Sequence, residues 1–296
     1  MRIDTIDLQF EGTPQVIAAF LLRGAGGPVL IETGPGSTLA TLHRGLAALG
    51  VTAGDVRHVL LTHIHLDHAG AAGWWARHGA TVYVHPAGAP HLIDPSKLIR
   101  SAERIYGDRM ESLWGEILPA PAERVVALAD GATIEVEGLS ISALATPGHA
   151  AHHHVFRIGS VAFTGDAAGI RLPGSEWIDL PAPPPEFDRE AWRGSLDRLR
   201  QAGLTEIHRT HFGRCSTVAA DLAAFEAVME RGTEAIRELL EQGVDRDEMV
   251  RRFGAQMRAR ARELGIDGRA LRAYELANPR SMSVDGITRY WRKRAA

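Results

Sequence analysis

One segment constrains this chain more than any other: the strand-like run Val56–Thr62, whose Val59-Leu60-Leu61 leads through Thr62 into His63-Ile64-His65-Leu66-Asp67-His68. An unbroken apolar stretch, rather than an alternating one, reads as a strand covered on both faces, as in a parallel sheet flanked by helices. Three histidines and an aspartate at the end of such a strand are hard to explain by packing. Imidazole and carboxylate are standard ligands for zinc and similar borderline metals. Side chains two apart on an extended turn can converge on one ion, which leaves Asp67 and His68 to face a second. Gly70 and Gly73 are expected to let the backbone turn tightly behind the cluster.

Strands and helices alternate on either side of this segment, the pattern of helices packed on sheets. Val16–Leu22 and Pro28–Thr33 read as strands, Leu39–Leu49 as a helix capped by Ser37 or Thr38, His68–Arg77 as a helix and Thr81–His85 as a strand. Between Pro86 and Pro121 the apolar residues Ile99, Ile105, Met110, Leu113, Trp114 and Ile117 recur nearer a helical period, which predicts a helical insertion over 86–121. Strands resume at Arg124–Leu128, Thr133–Val136, Leu139–Ala145, His154–Ile158 and Val161–Thr164. The proline-rich loop Leu180–Pro185 leads to a helix at Arg189–Ala202 and a short strand at Ile207–Thr210. Beyond Cys215 the pattern is helical: Val218–Gln242, Arg246–Leu264, Gly268–Ala277 and a stretch near Ile287–Lys293. The expected organisation is an α/β domain over 1–215 and a helical extension over 216–296.

Three later segments repeat the plan of an apolar strand followed by a ligand-type residue beside glycine or threonine. They are Thr146-Pro147-Gly148-His149, Thr164-Gly165-Asp166 and Thr210-His211-Phe212-Gly213. Ligands from the ends of several strands would meet at one edge of a sheet, where rigid scaffolds commonly carry their sites. His152, His153 and His154 alternate if they lie in a strand, so at most His152 and His154 share a face. One of them could orient a ligand; the alternative is a solvated or core-edge run.

In order and spacing, His63-x-His65-x-Asp67-His68, then His149, Asp166 and His211, resembles the signature of the metallo-β-lactamase superfamily. The resemblance covers roughly residues 1–215 and implies an αββα sandwich. It also implies two divalent metal ions, zinc first, with iron or manganese as alternatives. By this likeness His63, His65 and His149 hold one ion, Asp67, His68 and His211 the other, and Asp166 bridges both. The Asp67-His68 pair is similar to the glyoxalase II, lactonase and phosphodiesterase branches, and no cysteine ligand of the antibiotic-degrading enzymes is present. Two positions depart from the pattern. Glu32 stands where the family more often has aspartate, and Asp166-Ala167-Ala168-Gly169 offers no tyrosine where the signal-molecule lactonases place one.

Two metals sharing a water lower its pKa from 15.7 to about 7. The resemblance therefore implies hydrolysis of a small-molecule carboxylic ester, thioester or lactone by a metal-bridging hydroxide, with Asp67 orienting it. Alternatives are a phosphodiesterase acting on a nucleotide or nucleic acid, an iron-dependent redox variant, and a non-catalytic metal-stabilised binding module. His91, Tyr106 and Trp114 of the insertion are candidates for substrate contact, although Met110, Leu113 and Trp114 at helical spacing are equally an ordinary core stripe. The net charge of −3 argues against general attraction to nucleic acid or anionic membrane, yet Arg246–Ala296 carries 13 Arg/Lys against 6 Asp/Glu. That excess reads either as an Arg-rich solvated helical face or as a basic patch. The C-terminal helices are candidates for completing the pocket, packing on the insertion or forming a homodimer contact. One cysteine cannot form an internal disulfide, and Met1–Phe10 lacks the basic and apolar regions of a secretory signal. No window approaches a membrane span. A cytoplasmic location is expected.

Overall fold

The computed structural model describes residues 1–295. They form two compact units, Met1–Ala145 with His152–Gly165, and Thr146–Ala151 with the chain from Asp166 onward.

The first unit opens with β1 (Arg2–Asp7), β2 (Ala18–Arg23) and β3 (Pro28–Ile31), then α1 (Leu39–Ala48) and β4 (His58–Leu60). There follow α2 (Leu66–Ala69), α3 (Ala72–Arg77), β5 (Thr81–Val84), α4 (Ala89–Ile93), α5 (Ser96–Tyr106), α6 (Met110–Trp114) and β6 (Val125–Ala127). The six strands form one sheet in sequence order. β1 to β3 pair antiparallel, while β3, β4, β5 and β6 run parallel. Parallel neighbours need crossovers, which the intervening helices supply. The segment between β5 and β6 is helical, as the spacing of its apolar residues predicts. β4 is shorter than the run Val56–Thr62 because its partner β3 is short: the ladder is Val29↔His58, Leu30↔Val59 and Ile31↔Leu60.

A second, antiparallel ladder follows: β7 (Thr133–Val136), β8 (Leu139–Ala145), β9 (His154–Ile158) and β10 (Val161–Gly165), each paired with the next. The two sheets face each other across an apolar layer, with the Phe20 ring of β2 and the Phe163 ring of β10 5.3 Å apart. Leu60 and Phe156 share these inner faces, Val59 and Ala162 lie on the opposite faces, and all four are sealed from solvent.

The second unit holds α7 (Arg189–Gln201), the pair β11 (Glu206–Arg209) and β12 (Arg214–Cys215), and then α8 (Val218–Glu241), α9 (Arg246–Glu263), α10 (Gly268–Ala277) and α11 (Arg280–Ala295). Asp188, Asp245 and Asp267 cap α7, α9 and α10 by accepting from the amides of Ala191, Glu248 and Ala270. α11 begins at Arg280, seven residues before the helical stretch read from the sequence. Its first turns carry the poor helix formers Ser281, Ser283 and Gly286 because that face packs on a loop: a Cβ on Gly286 would lie 2.0 Å from the Ala182 carbonyl oxygen. The same loop is held by Asn278 and Ser283, whose side chains each donate to the Leu180 carbonyl at 2.8 Å. Tyr274 reinforces it, donating to the Trp177 carbonyl at 2.6 Å. No helix of the described residues is long and apolar enough to cross a membrane.

Candidate metal centre

In the first unit the ligand-type residues follow β4, and a buried carboxylate organises them. Glu32 is fully buried just after β3, at φ 64, a conformation uncommon outside glycine. It accepts from the Thr62 hydroxyl at 2.5 Å, the Thr62 amide at 3.3 Å and His68 Nδ1 at 3.1 Å. One carboxylate thus ties the end of β4 to α2. His63 Nε2 and His65 Nδ1 lie 3.0 Å apart. Donor atoms of His63 and His68 lie within 4.8 Å of one another, as do those of Asp67 and His68. Gly70 and Gly73 are needed for close approach rather than for a turn. Gly70 has helical φ, and added Cβ atoms would meet the Leu66 carbonyl at 2.5 Å and the Leu118 carbonyl at 1.8 Å.

The histidine run departs from the alternation expected of it. β9 starts only at His154, so His152 and His153 are not in a strand. All three are buried. The rings of His152 and His153 lie 6.1 and 4.9 Å from that of His63, and His154 lies 4.6 Å from His85. Burial excludes a solvated run, and the start of β9 at His154 removes the two-faced pattern.

The insertion places Tyr106 and Trp114 edge to face at 5.0 Å, with Trp114 stacked on Phe10 at 5.7 Å. Trp114 is therefore part of a packed aromatic group, yet its buried indole N–H has no hydrogen-bond partner among the described residues. Burial, and next the Asp67 carboxylate, push the Tyr106 hydroxyl well above the usual phenol range. His91 is half-buried on α4.

The second unit brings the other three ligand-type residues together. His149, Asp166 and His211 are all nearly sealed from solvent. His149 Nε2 lies 3.3 Å from one Asp166 oxygen, and His211 Nε2 lies 3.5 Å from the other. His149 Nδ1 donates to the Pro181 carbonyl at 2.8 Å, on the loop that α10 and α11 hold. The Trp192 indole packs edge-on to His149 and donates to the Ala167 carbonyl at 2.8 Å. Arg209 is wholly buried in β11; it donates to the Ala168 carbonyl at 3.1 Å and pairs with Asp221 of α8. Burial draws the Arg209 guanidinium down to about 10, which leaves it charged at neutral pH. Trp192 and Arg209 thereby brace the turn after Asp166. Sequence reasoning passed over both, although an arginine inside the strand Ile207-His208-Arg209 was itself a signal, since a buried arginine needs a dedicated partner.

The donor chemistry fits metal ions. A carbonyl only accepts, so His149 Nδ1 carries the ring proton, and a neutral ring then turns the bare Nε2 lone pair toward a carboxylate oxygen. His68 repeats the arrangement, with Nδ1 on Glu32 and Nε2 3.5 Å from an Asp67 oxygen. A lone pair and a carboxylate oxygen repel unless a cation or an added proton lies between them. Histidine ligands held through the second ring nitrogen by a carboxylate or carbonyl are the usual second layer of a metal site.

Residues 12–211 match the metallo-beta-lactamase superfamily. This chain belongs to that superfamily. A crystal structure of a metallo-beta-lactamase family protein from Thermus thermophilus aligns with a TM-score of 0.70 over 99% of this chain and 94% of its own, at 24% identity. A metallo-beta-lactamase fold-containing protein from Sulfurisphaera tokodaii is 25% identical over 207 residues, 69% of this chain and 75% of its own length. An atrochrysone carboxyl ACP thioesterase from Aspergillus fumigatus is 30% identical over 200 residues, 66% of this chain and 49% of that enzyme. The fold is thus the metallo-β-lactamase fold followed by a helical C-terminal region. The superfamily consists mostly of hydrolases, and its members bind divalent metals.

Proposed function

We propose that this superfamily member is a dinuclear metal-dependent hydrolase of a small-molecule thioester, carboxylic ester or lactone. His63, His65 and His149 are assigned to one ion, Asp67, His68 and His211 to the other, and Asp166 to both. The observation that carries the reading is the Asp166 carboxylate, each oxygen of which faces a histidine Nε2 at 3.3 or 3.5 Å. Bound zinc, or iron or manganese, would supply Lewis-acid polarisation of a carbonyl and a lowered pKa for water.

The chain's own residues would do the rest. Asp67, with 21% of its side chain exposed against 4% for Asp166, is the carboxylate left to orient an attacking water and take up its proton. Glu32 holds His68 by Nδ1, and Pro181 holds His149 by Nδ1, so both rings present a fixed tautomer. The Tyr106 hydroxyl and the Trp114 indole N–H are the donors proposed for a substrate oxygen, with His91 an outer contact. The thioesterase among the relatives puts thioesters first in the panel to test.

The test joins metal analysis of protein purified without added metal to assays on a thioester, a carboxylic ester, a lactone and bis-p-nitrophenyl phosphate. Two equivalents of metal per chain and turnover of one carbonyl substrate are expected. Full turnover after metal removal would overturn the reading, and turnover of the phosphodiester alone would replace it. Stoichiometric metal with no turnover of any of the four would leave a metal-stabilised binding module.

A further inference from the structure

α9 and α11 of the second unit enclose a groove of about 470 Å³ that contains none of the ligand-type residues. Four cations line it, Arg246, Arg289, Arg292 and Lys293, against the single carboxylate of Asp285. Arg246 is already committed, with Nε and Nη2 each 2.7 Å from an Asp285 oxygen. That leaves a net charge of +3 on Arg289, Arg292 and Lys293, none of which has an ion-pair or hydrogen-bond partner among the described residues. Several other arginines of these two helices are paired, Arg251 and Arg252 with Glu248, Arg260 with Glu263, and Arg294 with Glu190.

Helical spacing makes the cluster costly. Arg289 lies three residues before Arg292 and four before Lys293, so like charges sit on neighbouring positions of one face, where they repel. The negative end of α11 offsets Arg292 and Lys293, but Arg289 lies earlier, beyond the last turn. A second, independent feature lines the same space. Thr288 is 8% exposed and its Oγ1 has no hydrogen-bond partner, although a helical threonine ordinarily bonds the carbonyl four residues back. Thr233 of α8 does bond in that way, to Met229.

We propose that this groove is a binding site for a small organic phosphate carrying two or three phosphoryl groups. Its anionic part lies on Arg289, Arg292 and Lys293, with the Thr288 hydroxyl donating to a phosphoryl oxygen. Guanidinium forks match phosphate oxygens in geometry as well as charge. Met249, nearly sealed from solvent, completes the lining. The volume suits a ligand of nucleotide size, since small-molecule pockets run from about 300 to 1,000 Å³.

The full-length protein is titrated calorimetrically with ADP and with tripolyphosphate, at low and at physiological salt. Saturable binding of one equivalent is expected. The double variant Arg289→Ala/Arg292→Ala should weaken it at least about tenfold, the effect of removing hydrogen bonds to charged groups. Thr288→Val should weaken it less, with an unchanged melting temperature. The double variant Arg251→Ala/Arg260→Ala, which alters total charge equally, should leave it within about twofold. Asp166→Asn should also retain binding, which separates this site from the proposed metal centre. Absence of saturable binding, equal loss in the Arg251/Arg260 control, or binding of long polyanions without either small probe would overturn the proposal.

Discussion

Glu32 offers the sharpest single perturbation. Its carboxylate accepts from three buried groups, the Thr62 hydroxyl at 2.5 Å, the Thr62 amide at 3.3 Å and His68 Nδ1 at 3.1 Å. In Glu32→Gln the amide oxygen can take the place of the oxygen that serves Thr62 Oγ1 and His68. The NH2 then faces the Thr62 N–H, donor against donor. Two charge-assisted bonds become neutral, at about 1 kcal/mol each, and one buried amide loses its acceptor, at about 1–3 kcal/mol. The expected loss is about 3–5 kcal/mol, or roughly 10 °C in melting temperature for a chain of this size. Because His68 loses its ionic anchor, metal affinity should fall about 10- to 100-fold, the usual effect of removing a partner behind a ligand. Thermal unfolding of metal-free protein reads the first quantity, and zinc competition with a chromogenic chelator reads the second. Glu32→Asp keeps the charge but falls one methylene short, so it should lie between the two. A Glu32→Gln protein that melts with the parent and binds zinc equally well would refute the assignment of Glu32 as the organiser of this loop.

Asp166→Asn and His63→Ala should lose bound metal and activity together, measured by elemental analysis alongside turnover; activity without metal in either would contradict the ligand assignment. Tyr106→Phe should lower kcat/KM about 10- to 100-fold with little change in stability, as expected for one donor to a developing charge. Its raised pKa keeps the hydroxyl protonated through neutral pH, and the stability it contributes is present below pH 10 and lost only above, on alkaline titration. His43, His58 and His208 are each lowered from 6.5, chiefly by burial, so the unfolded chain binds more protons. Stability should therefore fall as pH drops below 6.5, which urea unfolding at pH 7.5, 6.5 and 5.5 would show. Arg209→Met should destabilise the protein by about 3–5 kcal/mol, because Asp221 would be left buried with only Arg171, whereas Arg209→Met/Asp221→Leu should recover most of the loss in urea melts.

The ligand-type residues were legible in the sequence because each stands within a few residues of a strand's end or within a short motif there, so their type and order are local facts. What the sequence could not reveal depends on residues far apart in the chain. Two residues past β4, the Thr62 amide turns to the Glu32 carboxylate, 30 positions away. The histidines at 152 and 153 precede β9, which begins at His154 as read from the sequence, and they are buried against His63, about 90 positions away. α11 starts at Arg280 although its first turns are poor helix formers, because Asn278 and Ser283 bond Leu180, some 100 residues earlier. That contact answers in part what the C-terminal helices do: they fix the loop whose Pro181 carbonyl sets the tautomer of His149. Sequence by itself determined which residues can bind metal, since ligand chemistry resides in the side chain. Tertiary structure decided which ring nitrogen each histidine presents, since that is set by the acceptor packed against the other nitrogen.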